Sequence, residues 1–88
     1  MKVDVLKSFE KDVAKIRDKY LAAEVFSLIE KLETCTTLSA IPKLKKMKGK
    51  GNYYRIRLGD YRLGLSVEDQ TLCLIRFMSR KDIYKYFP

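Results

Sequence analysis

The sequence predicts a single α+β domain over residues 1–88. An N-terminal strand and a two-helix hairpin precede an antiparallel three-stranded meander that completes a small twisted sheet, and a short C-terminal helix or turn closes the chain. Two observations support this fold class. Hydrophobic residues make up 47% of the chain and charged residues 34%, which is typical of a globular domain. Apolar residues recur with helical spacing in the first half and alternate as in strands in the second half.

The N-terminal half begins with the alternating stretch KVDVL, which predicts the first strand. Ser8 is predicted to cap a helix in which Phe9, Val13 and Ile16 share one face. A second helix is predicted from about residue 18 to residue 33, with a core-facing apolar stripe. The stripe consists of Leu21, Val25, Leu28, Ile29 and Leu32.

The stretch YYRIRLGDYRLGL, residues 53–65, predicts a hairpin of two strands. Gly59 and Asp60 suit a two-residue turn, because glycine accepts the positive φ that such turns require. One face of this hairpin is apolar and is predicted to meet the helices: Tyr54, Ile56, Leu58, Tyr61, Leu63, Leu65 and Val67.

The remaining segments frame the hairpin. The basic stretch KKMKGKGN before it is interpreted as a loop. The stretch TLCLIRFMSR after it predicts the last strand, in which Cys73, Ile75 and Phe77 alternate with Arg76, Met78 and Arg80. Leu72 and Leu74 interrupt this alternation, which is consistent with a strand start that is covered on both sides. Residues 81–87 are predicted to form a short helix or turn that carries two tyrosines.

Composition excludes several kinds of chemistry. The chain has no histidine and two distant cysteines, so we expect no metal site, no cofactor and no histidine-based acid–base pair. No apolar run approaches the roughly 20 residues that a transmembrane helix needs. The N-terminus lacks the apolar segment of a secretory signal, so the sequence favours a cytoplasmic protein that does not contact membranes.

The net charge of +8 is concentrated in one segment. Residues 1–42 carry 7 basic and 7 acidic side chains, whereas residues 43–62 carry 8 basic side chains and one acidic residue, Asp60. If the apolar faces of all strands meet the helices, five arginines share the opposite, open face: Arg55, Arg57, Arg62, Arg76 and Arg80. Arginine binds phosphate oxygens with a planar, permanently charged fork, so this face predicts a polyanionic partner such as nucleic acid. Lys48 and Lys50 extend the predicted nucleic-acid-binding surface of Arg55, Arg57 and Arg76.

The hairpin text YYRIRLGDYRLGL, the closing RFMSRKDIY and the order of elements resemble the RelE/ParE superfamily of toxins from bacterial toxin–antitoxin systems. The resemblance covers nearly the whole chain and implies a RelE-like fold. It assigns family positions to Arg55, Arg57, Arg62, Arg80 and Tyr84. Ser79 stands where many relatives have histidine or lysine, and Arg55 and Arg57 stand where RNA-cleaving relatives have lysine.

Having all five positions filled favours the RelE branch of ribosome-dependent mRNA endoribonucleases over the ParE branch of gyrase inhibitors. The resemblance therefore implies mRNA, the ribosome and a cognate antitoxin protein as partners, with Arg62, Arg80 and Tyr84 as catalytic residues. Arginine is a poor proton acceptor, so the general base stays open. Three further alternatives also stay open: a ParE-like inhibitor without catalysis, a basic nucleic-acid-binding module, and Tyr86 rather than Tyr84 as the functional tyrosine.

Overall fold

One mixed sheet of five strands organises the chain, with helices on both of its faces. The computed structural model describes residues 1–49 and 51–88. The elements, in chain order, are β1 (Lys2–Val5), α1 (Lys7–Ala14), α2 (Lys19–Thr34), a 3-10 turn (Leu38–Ala40), β2 (Leu44–Lys46), β3 (Tyr53–Leu58), β4 (Tyr61–Glu68), β5 (Thr71–Ser79) and α3 (Arg80–Tyr86). The strand order is β1-β5-β4-β3-β2, with β1 parallel to β5 and the other pairs antiparallel. The predicted α+β order is confirmed.

The main core lies between the sheet and the helices α1 and α2. The predicted stripe of α2 is confirmed, because Val25, Leu28 and Leu32 are buried and Leu21 and Ile29 pack against them. The strands contribute Ile56, Leu63, Leu65, Leu72, Leu74 and Phe77 to this core. Burying these apolar side chains is the main favourable term in folding, so this layer fixes how the sheet is presented to solvent.

The helices α1 and α2 begin in different ways. Asp18 caps α2 as its carboxylate accepts the backbone N–H groups of Tyr20 and Leu21 at 2.9 and 3.2 Å. The predicted cap Ser8 is wrong: Leu6 precedes α1, and the Ser8 hydroxyl donates to the backbone carbonyl of Ile75 instead. That carbonyl lies beyond the last residue pair between β1 and β5, so Ser8 satisfies an edge acceptor of the sheet. Among the described residues no helix is both long and apolar enough to cross a membrane.

Part of the basic segment predicted as a loop is the edge strand β2. Leu44 pairs with Ile56 and turns toward the core, whereas Lys45 pairs with Arg55 and is exposed. A strand of three residues among several lysines is too short for its alternation to be recognised, so the sequence did not predict β2. The strand holds part of the basic segment rigidly beside the hairpin.

The hairpin of β3 and β4 has the predicted register. Leu58 pairs with Tyr61 across a two-residue turn, and Gly59 has a φ of +60°. The predicted phase of β5 is wrong over its first half, because the register against β4 shifts between Gly64 and Leu65. The extra residue, Ile75, is unpaired, so Leu72 and Leu74 face the same core as Phe77.

The second face of the sheet is partly covered, contrary to the prediction of an open face. α3 packs on β4 and β5, and its Ile83 is fully buried. A side chain at Gly64 would lie 2.9 Å from the ring of Phe87, so the absence of one makes room for the buried end of the chain. Phe87 also meets the Tyr53 ring edge-on, with centroids 5.6 Å apart. This small cluster places α3 beside the arginines.

Candidate functional site

α3 brings its tyrosine to the arginines of the hairpin. The Arg55 guanidinium donates from Nε to the Tyr84 hydroxyl at 3.2 Å and from Nη1 to the Lys43 carbonyl at 3.3 Å. Tyr84 remains 56% exposed, so a ligand can reach its ring and hydroxyl. Tyr86 is as exposed, at 57%, but its ring lies under the ammonium of its own neighbour Lys85. The geometry thus associates Tyr84, and not Tyr86, with the arginine cluster.

The charges around Tyr84 change its acidity. Desolvation raises the pKa of the phenol, but the guanidinium groups of Arg55 and Arg62 favour the phenolate, and the balance lowers the pKa below 10.0. The Tyr84 oxygen accepts the hydrogen bond from Arg55, so its own proton is free to be donated elsewhere. A phenol in this state is a better proton donor than an ordinary tyrosine.

Arg62 lies beneath α3 and is buried, with only 7% of its surface exposed. Its Nη1 donates to the carbonyls of Gly59 and Tyr61 at 2.8 and 2.9 Å, which fixes the guanidinium against the hairpin turn. Its Nε is buried and has no hydrogen-bond partner among the described residues. A buried donor without a hydrogen-bond partner is costly, so this nitrogen lowers the stability that Arg62 contributes.

Arg80 begins α3 and is exposed at the rim of a cleft of about 530 Å³. The Ser79 hydroxyl caps this helix by accepting the backbone N–H of Asp82 at 3.2 Å, so a cap explains the serine at this position. The backbone N–H of Arg80 donates to the carbonyl of Asp60 at 2.8 Å, which ties α3 to the hairpin turn. Asp60, Ser79, Arg80, Lys81 and Tyr84 line this space, named here the Arg80 cleft.

A second cleft of about 360 Å³ lies on the other side of Tyr84. Its rim is basic and its remaining walls include Met47, Phe87 and Pro88, so we name it the lysine cleft. The basic rim consists of Lys45, Lys46, Lys48 and Arg55. Lys48 therefore lines the same cleft as Arg55, whereas Lys50 lies outside the described residues. Because Tyr84 lines both clefts, a strand of nucleic acid crossing from one to the other passes over its ring.

Two predicted site residues, Arg76 and Arg57, line neither of the two clefts beside Tyr84. Arg76 was predicted to share the open face, but its guanidinium forms a two-pronged pair with the Asp12 carboxylate, at 2.7 and 3.2 Å. The same carboxylate accepts the backbone N–H of Phe77 at 2.9 Å, so Asp12 satisfies the edge of β5 beyond the bulge. Arg57 is exposed, pairs across the hairpin with Arg62, and lines a shallow groove with Arg55 and Lys43.

The electrostatic consequence is an uncompensated positive field. Arg76 and Asp12 form the one ion pair in residues 1–49 and 51–88, so Arg55, Arg57, Arg62 and Arg80 have no carboxylate partner there. Fixed guanidinium groups without counter-charges attract and orient an anionic ligand.

Sequence reasoning missed three residues at the site. Lys45 and Lys46 lie in β2, and the signal that could have found them is Leu44, which alternates with the flanking lysines. Asp60 was interpreted only as a turn residue, although its position as the single acid in a strongly basic segment was visible.

Comparison with known proteins agrees with this fold. A family model described as the ParE toxin of a type II toxin–antitoxin system matches residues 3–84. The chain belongs to this toxin family. The predicted resemblance is thus confirmed, and the protein is a toxin of the type II class.

Within the toxin family the chain is similar to archaeal RelE proteins. It is 38% identical to Toxin RelE3 of Methanocaldococcus jannaschii over 89 residues, which cover the whole of both chains. The crystal structure of the RelB–RelE antitoxin–toxin complex from Methanococcus jannaschii matches with a TM-score of 0.81 and 35% identity, covering 97% of this chain and 99% of the other. The RelE–RelB complex from Pyrococcus horikoshii OT3 matches with a TM-score of 0.72 and 25% identity, covering 90% and 93%.

Proposed function

We propose that this toxin is an endoribonuclease that cuts mRNA on the ribosome in the cytoplasm and so stops translation. The observation that carries the proposal is the cluster of three arginines beside Tyr84, namely Arg55, Arg62 and Arg80, none of which has a carboxylate partner among the described residues. Tyr84 also lines two clefts. The similarity to RelE toxins supports the RNA-cleaving branch of the family.

The proposed reaction uses the RNA's own 2′-oxygen. This oxygen attacks the adjacent phosphorus, charge accumulates on the phosphate oxygens, and the 5′-oxygen of the next nucleotide leaves. Arg62 and Arg80 stabilise that charge, a role worth about 3 to 4 kcal/mol for each well-aimed donor. Arg55 and Arg57 hold the neighbouring backbone, and the lysines of the lysine cleft extend this track.

Tyr84 is proposed to exchange a proton with a reacting oxygen. The Tyr84→Phe variant keeps the ring and loses the proton, so we expect the cleavage rate to fall by about 100-fold. Only the neutral phenol can donate, so wild-type cleavage should decline as pH rises through the lowered pKa of Tyr84, and the variant should lose that decline. The measurement is a pH–rate profile of mRNA cleavage on programmed ribosomes.

Tyr86→Phe is the matched control for Tyr84→Phe, because both tyrosines are in α3 and are equally exposed. We expect it to cut at the wild-type rate. A Tyr84→Phe variant as fast as wild type, together with a slow Tyr84→Ala variant, would assign the ring to base stacking and reject the proton role.

The ribosome is proposed as a partner because both clefts are open and the chain is small. Neither cleft encloses a substrate, and holding the 2′-oxygen in line with the leaving oxygen lowers the barrier to the attack. A ribosome that holds mRNA in the attack geometry supplies that orientation from outside the toxin. We therefore expect free mRNA to be a poor substrate.

A cognate antitoxin is the second proposed protein partner. The structural relatives from both archaea are complexes of a RelE toxin with RelB. The +8 charge and the unpaired arginines of this chain favour an acidic segment that folds over the hairpin and covers Tyr84. Such a segment inhibits by occupying the site that mRNA requires.

The test of the proposed function is a short induction of the toxin, followed by growth measurement and primer extension on cellular mRNA. We expect growth to arrest and new 5′ ends to appear at positions phased with codons. Normal growth while folded toxin accumulates would overturn the proposal.

The ParE description of the family model favours one alternative, inhibition of gyrase without catalysis. A supercoiling assay with purified toxin separates the two functions. Inhibition of supercoiling while mRNA stays intact would establish the alternative. Binding of the toxin to RNA without cleavage would show that the protein is a nucleic-acid-binding module.

A further inference from the structure

Asp60 is the one acidic residue in a strongly basic segment, and its position is beside the arginines of the candidate site. It lines the Arg80 cleft together with Arg80, Lys81 and Tyr84. Among the described residues that line the two clefts bordered by Tyr84, it is the one with an acidic side chain. Asp60 therefore borders the same cleft as Arg80, the arginine proposed to bind the phosphate.

The backbone at Asp60 is fixed by contacts with both elements that carry the proposed phosphate-binding arginines. The carbonyl of Gly59 accepts from the Arg62 guanidinium at 2.8 Å, and the carbonyl of Asp60 accepts from the Arg80 backbone at 2.8 Å. A two-residue turn held at both of its residues has little conformational freedom. The Cα atom from which the Asp60 side chain extends therefore has a defined position.

The Asp60 carboxylate is also available for proton transfer. It is exposed, and the one ion pair among the described residues joins Asp12 and Arg76 instead. The charged and titratable groups around it are Arg80, Lys81 and Tyr84 of α3 and Arg62 of β4. These cations offset the repulsion between a carboxylate and a phosphate in the same cleft.

We propose that Asp60 is the general base that removes the proton from the 2′-hydroxyl of the RNA. This inference rests on the proposed function and fills the role that sequence reasoning left open. The chain has no histidine, its lysines and arginines are protonated at neutral pH, and an aspartate is a proton acceptor there. General-base catalysis by a positioned carboxylate contributes typically about 10² to 10⁴-fold to a rate.

The bonds and protons balance as follows. The 2′-O–H bond breaks and its proton moves to the Asp60 carboxylate, while its electron pair forms the bond from the 2′-oxygen to phosphorus. The bond from phosphorus to the 5′-oxygen breaks, and that oxygen takes the Tyr84 proton. The products are a 2′,3′-cyclic phosphate and a 5′-hydroxyl, and water returns the proton from Asp60 to the Tyr84 phenolate.

The test compares Asp60→Asn with wild type in the cleavage of mRNA on programmed ribosomes. The amide has the shape of the carboxylate and suits a turn, so thermal melting and ribosome binding should stay unchanged. We expect the cleavage rate to fall by about 100-fold or more. Asp69→Asn, in the turn between β4 and β5, is the matched control and should cut at the wild-type rate.

A modified substrate separates the base from a structural role. In mRNA with sulfur in place of the leaving 5′-oxygen, the leaving group needs no proton, so Tyr84→Phe should regain most of its rate. Asp60→Asn should stay slow on this substrate, because the 2′-hydroxyl must still lose its proton. Equal recovery of both variants would overturn the assignment of the base.

The remaining outcomes are also decisive. If wild type cuts and Asp60→Asn cuts equally fast, the inference is wrong and the proposed function stands. If wild type itself does not cut, the proposed function fails first. If Asp60→Asn melts at a lower temperature, Asp60→Glu decides: it retains a carboxylate and should cut at least about 10-fold faster than the amide variant, and equal inactivity of the two overturns the inference.

Discussion

Arg80→Ala should abolish mRNA cleavage and leave the stability of the toxin unchanged. The side chain is exposed at the rim of the Arg80 cleft and has no carboxylate partner among the described residues, so its removal breaks no ion pair there. It does remove the donor that we propose to stabilise the charge developing on the phosphate. We expect the cleavage rate to fall by about 10² to 10³-fold. The measurements are primer extension on programmed ribosomes and thermal melting of the purified variant.

Two further variants sharpen the Arg80 prediction. Arg80→Lys keeps the charge and loses the two-pronged geometry, so it too should be slow. Arg17→Ala is the control, because Arg17 is exposed in the connection between α1 and α2 and belongs to neither cleft. Cleavage by Arg80→Ala at the rate of Arg17→Ala would reject the proposed role of Arg80.

Arg62→Ala should abolish cleavage as well, but at a cost in stability that Arg80→Ala does not have. Arg62 is 7% exposed and its guanidinium holds the carbonyls of Gly59 and Tyr61. Losing hydrogen bonds from a buried charged group costs about 1.5 to 3 kcal/mol, so the free energy of unfolding should drop by that order. Urea denaturation followed by circular dichroism measures the loss, and the ribosome assay measures cleavage.

Alternation alone predicted that Arg62 lies on an open face of the sheet. The burial of its side chain corrects that expectation. Arg62→Lys is the informative companion. A lysine keeps the charge but lacks the planar fork of donors that a guanidinium offers, so it should recover part of the stability and little of the activity. An Arg62→Ala variant as stable as wild type would show that the buried contacts of this side chain contribute nothing to the fold.

The sequence by itself determined the elements that depend on local periodicity. The stripe of α2, the apolar face of the hairpin and the turn at Gly59 could be predicted because each follows from residues close in the chain. The concentration of charge and the family resemblance likewise pointed to Arg55, Arg62, Arg80 and Tyr84 without any coordinates. These residues do lie together in the structure.

Only the tertiary structure decided how each charged residue is used. Arg62 and Arg76 have the same apparent pattern in the sequence, yet one is buried beneath α3 and the other pairs with Asp12 of α1. The bulge at Ile75 and the packing of Phe87 against Gly64 produce that difference, and both depend on partners far away in the chain. The same packing brings Tyr84 to Arg55 and ties the Asp60 turn to α3. Alternation reports which face a residue is on, but burial and hydrogen bonding depend on what covers that face, and no local pattern contains this information.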